Sequence, residues 1–189
     1  MRRNIGGFTL IELILVMAII TILSVIGIGT FMQATVKSRD TQRKNDLEQM
    51  VRALESFNND VGRYPKIDAF TGAMTCPTYD VPTKSILEGP CFGDIFAYLN
   101  GDAKSTYLQG VPTDPNSTKK YVYLVLNSDP SGFALYAALE NTQDNDVVKT
   151  AGVVTNWDSD FPPAQAGSTC GSASCNYKVT ESGLIRTKP

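Results

Sequence analysis

The chain has 189 residues, a formal net charge of −2 and no histidine. Without an imidazole, Ser-His-Asp and Cys-His catalysis and histidine-containing zinc sites are excluded. Without a surplus of basic residues, direct nucleic-acid binding is not expected. The length allows one ordinary domain and one additional element.

The additional element is an apolar N-terminal segment. From Leu13 to Met32, 20 consecutive residues carry no charge, and as a helix they would span the roughly 30 Å hydrocarbon core of a bilayer. A secretory signal peptide would be shorter and would end in a small-residue cleavage site. Arg2 and Arg3 place the N-terminus in the cytoplasm. Four basic residues after the span compete with that orientation: Lys37, Arg39, Arg43 and Lys44.

A specific pattern precedes the span: a short basic leader that ends in Gly7, then Phe8, then "TLIE" from Thr9 to Glu12. It resembles the class III signal sequence of type IV pilins and of type II secretion pseudopilins. The resemblance implies that residues 1–7 are a leader, which a membrane-embedded prepilin peptidase removes between Gly7 and Phe8. It further implies that the same enzyme methylates the Phe8 amine, and that Phe8, Thr9 and Glu12 act in assembly.

The carboxylate of Glu12 is unusual beside so many apolar residues. A charge at the centre of a spanning helix costs on the order of 3 kcal/mol, and less near an end. Its partner would be the Phe8 amine of its own chain, one turn away, or that of a neighbouring subunit, where it would fix the register of a filament. The alternative without a function is a carboxylate that snorkels to water.

The apolar span continues into an amphipathic helix that ends near Asn59, and Gly62 and Pro65 provide its stop. We expect one helix from about Phe8, with a hydrophobic part over residues 8–36 and an amphipathic part over residues 37–62. "GRYP" at this point also resembles the pilin pattern. The apolar stripe of the amphipathic part recurs at steps of three and four residues: Leu47, Met50, Val51, Leu54 and Phe57.

Residues 63–189 are predicted to form a globular head, which gives an α+β fold with the helix packed on a small antiparallel sheet. "KYVYLVLN" and "GFALYAALE" predict one pair of strands, and "NYKVT" and "GLIRT" predict another. We expect residues 66–118 to be a loop region with a short helix around residues 93–99. The strand residues predicted to pack on the helix stripe are Phe133, Leu135, Ala137 and Leu139.

The four cysteines match no Cys-x-x-Cys metal or redox motif. Outside the cytoplasm an even number of cysteines predicts two disulfides, with three pairings open. Closure of short loops favours Cys76–Cys91 and Cys170–Cys175. A four-thiolate zinc site and unpaired buried thiols are the alternatives.

Two other groups of residues are candidates for binding. Pseudopilins carry calcium in their last loop, but Asp-x-Asp pairs on a surface are usually solvated, so no metal or cofactor is expected. An aromatic group near the C-terminus would form a partner-binding patch or, as we favour, pack beneath the loop. The carboxylates are Asp144, Asp146, Asp158 and Asp160, and the aromatic residues are Trp157, Phe161 and Tyr177.

The sequence therefore predicts a structural subunit and not an enzyme. The resemblance implies a prepilin in the bacterial inner membrane that polymerises into a surface pilus or, as the alternative, a periplasmic pseudopilus. The implied partners are further copies of the chain and other pilins, the prepilin peptidase/N-methyltransferase, the inner-membrane assembly platform and the membrane. An uncleaved membrane-anchored binding module or enzyme is the alternative from a different class.

Overall fold

The structure is a computed structural model, which divides into two compact units, residues 1–38 and 39–189. Several stretches within the helix and the strands are described by their backbone alone: residues 26–30, 67, 74–80, 85–90, 98–100 and 103–104. The described residues are 7–67, 74–80, 85–90, 96–100, 103–125, 132–157 and 170–186.

One long helix, α1, spans Leu10–Val61. Gly62 follows its last turn with a φ of +82°, and the Gly62 N–H donates to the Asn58 carbonyl at 2.7 Å. This left-handed residue satisfies one of the last helical carbonyls, at a conformation that glycine adopts without strain. The predicted long helix and its glycine stop are confirmed.

The second unit contains antiparallel sheets. A four-stranded sheet has the order β11-β10-β7-β6, a three-stranded sheet has the order β1-β2-β3, and β4-β5 and β8-β9 form two-stranded sheets. The two predicted hairpins are confirmed: "KYVYLVLN" and "GFALYAALE" contain the pair β6-β7, and "NYKVT" and "GLIRT" contain the pair β10-β11. The strands are β1 Lys66–Ile67, β2 Met74–Asp80, β3 Ser85–Pro90, β4 Phe96–Asn100, β5 Ala103–Leu108, β6 Val122–Val125, β7 Phe133–Ala137, β8 Lys149–Thr150, β9 Val153–Val154, β10 Tyr177–Thr180 and β11 Gly183–Ile185.

The first hydrophobic cluster lies between α1 and one face of the four-stranded sheet. The period of two along β7 sends alternate side chains to the helix, and the predicted packing of this face on the helix stripe is confirmed. The helix contributes Leu47, Met50, Ala53, Leu54 and Phe57, and the sheet side contributes Phe133, Leu135, Ala137, Leu139, Tyr177 and Val179.

The second hydrophobic cluster covers the opposite face of the same sheet. Val122, Leu124 and Tyr136 point into it from β6 and β7, and Trp157 lies over them with only 1% of its surface exposed. The main-chain N–H of Trp157 donates to the Cys175 carbonyl at 2.8 Å. The C-terminal segment therefore closes the core on this side, and β7 is buried along its whole length.

The structure corrects the prediction for residues 66–118. Strands β1 to β5 lie where we expected loops, and Phe96–Asn100 is strand β4 where we expected a short helix. The Phe96 side chain is fully buried, and its ring centroid lies 5.4 Å from that of Phe57 on α1. The apolar residues of this stretch therefore pack on the helix from a hairpin.

Replacing Gly171 by alanine should destabilise the head more than replacing Gly152. Both residues have nearly the same φ, +79° and +81°, so an added Cβ costs the same backbone strain of about 1 kcal/mol. The added Cβ at Gly171 would lie 2.3 Å from the Thr118 carbonyl oxygen, whereas nothing lies within 4 Å at Gly152. We expect a loss of about 3 kcal/mol for Gly171→Ala and about 1 kcal/mol for Gly152→Ala.

This difference can be measured by urea-induced unfolding of the full chain in detergent micelles. Trp157 is the single tryptophan of the sequence, and its burial makes its fluorescence a reporter of the folded head. Equal losses for the two variants would mean that the close approach at Gly171 relaxes without cost.

Candidate functional site

The residues on both sides of the predicted cleavage point precede α1 and are not helical. Phe8 is 90% exposed, and nothing lies within 4 Å of the position that a Cβ on Gly7 would take. The Gly7–Phe8 peptide bond is therefore open to an approaching enzyme, because no part of the described chain covers it.

Thr9 and Glu12 bind each other at the start of α1. One carboxylate oxygen of Glu12 accepts from the Thr9 N–H at 2.9 Å and from the Thr9 hydroxyl at 2.8 Å. The Glu12 N–H donates to the Thr9 hydroxyl oxygen at 3.3 Å. This is a capping box, in which the two side chains satisfy each other's backbone N–H groups and fix where the helix begins. It also turns the Glu12 carboxylate toward Phe8.

The first turns of α1 expose apolar side chains on every face. The hydroxyls of the polar residues in this part bind within the helix: Thr21 donates to the Ala18 carbonyl and Ser24 donates to the Ile20 carbonyl. A helix that is apolar all round needs cover from lipid or from other protein. Its exposed apolar residues include Leu10, Ile11, Leu13, Ile14, Leu15, Val16, Met17, Ile19, Ile20, Ile22, Leu23, Val25, Phe31 and Met32.

Within the residues that the structure describes, no helical stretch combines the length and the hydropathy of a membrane span. Residues 26–30, which lie inside the predicted span, have no described side chains.

A cluster of buried charges joins α1 to two loops of the head. We call it the Arg43 cluster: Asp40, Arg43, Asp114 and Glu140. The Arg43 guanidinium is fully buried and donates to Asp114 through two nitrogens, each at 2.8 Å. It also donates to Asp40 at 2.7 Å and to Glu140 at 2.8 Å. Each carboxylate comes from a different part of the chain, so one side chain of the helix holds both loops.

Asp40 extends this cluster into the backbone of the loop after β7. Its two carboxylate oxygens accept from the N–H groups of Glu140 and Asn141, at 2.9 and 2.7 Å. Arg39 also donates to Glu140, and the Lys119 ammonium lies 3.6 Å from the same carboxylate. These contacts leave the buried carboxylates paired, which is what burial of charge requires.

The balance of these contacts changes the pKa of two groups. Burial alone would lower the pKa of Arg43, but hydrogen bonds to Asp114, Glu140 and Asp40 outweigh it and raise the pKa. Burial alone would raise the pKa of Glu140, but hydrogen bonds from Arg39 and Arg43 outweigh it and lower the pKa from 4.5 to about 2.

The lowered pKa of Glu140 predicts a loss of stability in acid. Because the folded pKa lies below the ordinary value of 4.5, the stabilisation is complete above about pH 4.5 and disappears as the pH falls toward 2. The shift corresponds to roughly 2–3 kcal/mol. Urea unfolding between pH 7 and pH 2.5 should give a smaller loss for Glu140→Gln than for the wild type. The same pH dependence in both proteins would assign the acid sensitivity to other groups.

Two of the aspartates considered as calcium ligands, Asp144 and Asp146, bind a lysine instead. The Lys44 ammonium lies 2.9 Å from both carboxylate oxygens of Asp144 and 2.7 Å from one of Asp146. Arg186 donates to the other oxygen of Asp146 at 2.8 Å. Asp158 and Asp160 lie outside the described residues, and the part of the chain that the structure describes contains no group of three or more potential metal ligands.

The described residues include some, but not all, of the cysteines and aromatic residues singled out in the head. Cys170 and Cys175 form the predicted disulfide, and the pair Cys76–Cys91 cannot be assigned because Cys91 lies outside the described residues. Trp157 is buried beneath the C-terminal segment, as favoured for this aromatic group. Tyr177 is also buried, whereas Phe161 lies outside the described residues.

From the sequence, Arg43 was considered only as a basic residue after the span, and Asp40 was given no role. A usable signal was present, because Asp40, Arg43, Leu47 and Leu54 follow one another at steps of three, four and seven. These steps keep a residue on the same face of a helix. Asp40 and Arg43 therefore lie on the same face of α1 as the buried residues Leu47 and Leu54. Charged residues on a buried face predict a buried ion pair.

The family model described as "Prokaryotic N-terminal methylation motif" matches residues 2–28. The chain is also similar to the "Type IV major pilin protein PilA" of Myxococcus xanthus (strain DK1622). The two are 41% identical over 58 residues, which make up 31% of this chain and 26% of that protein. The match thus covers about a quarter of the relative's length. No solved structure matches the chain.

The methylation motif includes the predicted cleavage point and the capping box, and the fold joins a long N-terminal helix to small antiparallel sheets. The chain is thus similar to proteins with this methylation motif in its N-terminal part, and over 58 residues it is similar to a type IV major pilin.

Proposed function

We propose that the chain is a prepilin, cleaved between Gly7 and Phe8, methylated at the Phe8 amine and polymerised into a type IV pilus through its N-terminal helix. The observation that carries this proposal is the pairing of an accessible, non-helical Gly7–Phe8 bond with a helix that exposes apolar side chains on every face. Removal of the leader would leave that helix at the extreme N-terminus, where nothing N-terminal to it obstructs packing against other copies.

The apolar surface of the N-terminal helix would be covered first by lipid and then by other subunits. The subunit would first be held in the inner membrane with its N-terminus in the cytoplasm, where the prepilin peptidase/N-methyltransferase and the assembly platform act. It would then pass into a bundle of its own kind, in which neighbouring helices replace lipid. Glu12 fits this passage, because its carboxylate faces the end of the helix where cleavage creates a positive amine.

A surface pilus has more support than a periplasmic pseudopilus. The similar protein of Myxococcus xanthus is named as a major pilin, although the match covers only 58 residues. The Cys170–Cys175 disulfide of the head suits both locations, because the cell surface and the periplasm are both oxidising.

The proposal is tested on the mature protein from cells. Mass spectrometry should find N-methylated Phe8 as the first residue, and a strain without prepilin peptidase should keep the intact leader. An intact N-terminus in the wild-type strain would instead favour an uncleaved anchor. Electron microscopy should then reveal long surface fibres that an antibody to the head labels, whereas labelling confined to a short periplasmic rod would identify a pseudopilin.

A further inference from the structure

The ammonium group of Lys44 lies where three carboxylate oxygens converge. Both oxygens of Asp144 are 2.9 Å away and one oxygen of Asp146 is 2.7 Å away. About a quarter or less of each of the three side chains is exposed. Several short contacts from carboxylates to one positive centre are also the way proteins bind a hard cation.

The loop that supplies these oxygens depends on charge for its attachment to α1. Leu139 and Val147 at its two ends are buried in the first hydrophobic cluster. Between them, Glu140 and Asn141 bind Asp40 through their N–H groups, and the aspartates bind Lys44. The loop of residues 140–146 is therefore fixed by apolar residues at its ends and by helix charges in between.

The charge state of Lys44 agrees with this role. Burial would lower its pKa, but hydrogen bonds to Asp146 and Asp144 outweigh burial and raise the pKa. The Asp146 pKa is lowered, first by the hydrogen bond from Lys44. The Lys44 ammonium and the Asp146 carboxylate thus stay ionised together at neutral pH.

We propose that Lys44 acts as a permanent internal cation for the loop of residues 140–146, in the position that a bound divalent cation would otherwise take. The loop is then ordered without metal, and removal of the ammonium leaves a weak site for a divalent or lanthanide ion. This inference does not depend on the proposed function, because it concerns the folding of the head alone.

Terbium luminescence tests the proposal directly, since Lys44 Nζ lies 5.9 Å from the centre of the Tyr177 ring. A terbium ion at that position is close enough to be sensitised when tyrosine is excited. In the full chain in detergent, Lys44→Met should gain luminescence several-fold over the wild type. Calcium should compete at about 10⁻⁴–10⁻³ M, because only three protein oxygens contribute.

Two further variants control this measurement. Lys149→Met removes a neighbouring ammonium that donates to the Asp144 main-chain oxygen and not to the carboxylates, so it should stay at the wild-type level. The double variant Lys44→Met/Asp146→Asn should lose the gain. The proposal would be overturned if folded Lys44→Met showed no more terbium luminescence than the wild type. It would also be overturned if the double variant kept the increased luminescence.

Hydrogen exchange of residues 140–146 gives a second readout that needs no lanthanide. In the wild type, exchange should be the same in EDTA and in millimolar calcium. In Lys44→Gln it should be faster than in the wild type in EDTA, and calcium should slow it again. Exchange of this loop that depends on calcium in the wild type, or that calcium leaves unchanged in Lys44→Gln, contradicts an internal cation.

Discussion

Glu12→Ala should abolish filament assembly while the protein still enters the membrane. Removing the carboxylate makes the segment more apolar, so insertion loses nothing. In the assembled bundle, however, the new amine of Phe8 would lie in apolar surroundings without a counter-charge. Loss of one partner of such a pair would leave an uncompensated charge, and the assembly equilibrium should fall more than about a hundredfold. Immunoblots of sheared surface fractions and of membranes measure the two quantities, and a normal fibre yield would contradict the role given to Glu12.

The capping box allows the charge of Glu12 to be separated from its part in starting the helix. Glutamine can also serve at this position of a capping box, so Glu12→Gln keeps the cap and removes the charge. Thr9→Val keeps the charge and removes the hydroxyl that binds it. If the charge is what assembly requires, Glu12→Gln should fail like Glu12→Ala, and Thr9→Val should retain fibres. The reverse order would assign the effect to the start of the helix.

Thr9 and Glu12 illustrate what can be read from the sequence at the site. The pattern Thr9-x-x-Glu12 is a capping box that can be read from the letters alone, and its hydrogen bonds are present in the structure. The capping box was not among our predictions, whereas the hydrophobic period did predict which face of α1 meets β7. Both signals are local, because they depend on residues within one or two turns of each other.

Contacts between segments that are distant in the sequence could not be predicted. Arg43 could be placed on the buried stripe, but its partners Asp114 and Glu140 are 71 and 97 residues away. Nothing in their local sequence distinguishes them from solvated carboxylates in loops. The partner of Asp144 was hidden in the same way, since Lys44 is 100 residues distant.

The β4-β5 hairpin was missed for a different reason. Asn100 pairs with Ala103 across the two strands, and Gly101 and Asp102 separate them in the sequence. Gly-Asp between two such runs is a hairpin signal, but the surrounding Pro, Gly and Ser residues favoured a loop. The apolar residues between those turn signals decide the structure here, because Phe96 is buried against the helix.

Arg43→Met should strongly destabilise the head. Methionine keeps much of the stem but leaves Asp40 and Asp114 buried without their main counter-charge, which costs about 3–5 kcal/mol. Arg52→Met is the matched control on the same helix. Arg52 is 67% exposed and lies 3.7 Å from Glu48, so its loss should cost less than about 0.5 kcal/mol. Urea unfolding of both variants measures the difference.

The pH dependence of the Arg43→Met variant separates a lost ion pair from lost packing. Without the guanidinium, Asp40 and Asp114 are buried charges that lack their main partner, and protonation removes that cost from the folded state. The variant should therefore gain stability as the pH falls from 7 to about 4, where the wild type gains none. If packing alone were lost, the difference in the free energy of unfolding between the wild type and the variant would stay constant over this pH range. A constant deficit would mean that the stem of Arg43, and not its charge, holds the two loops on α1.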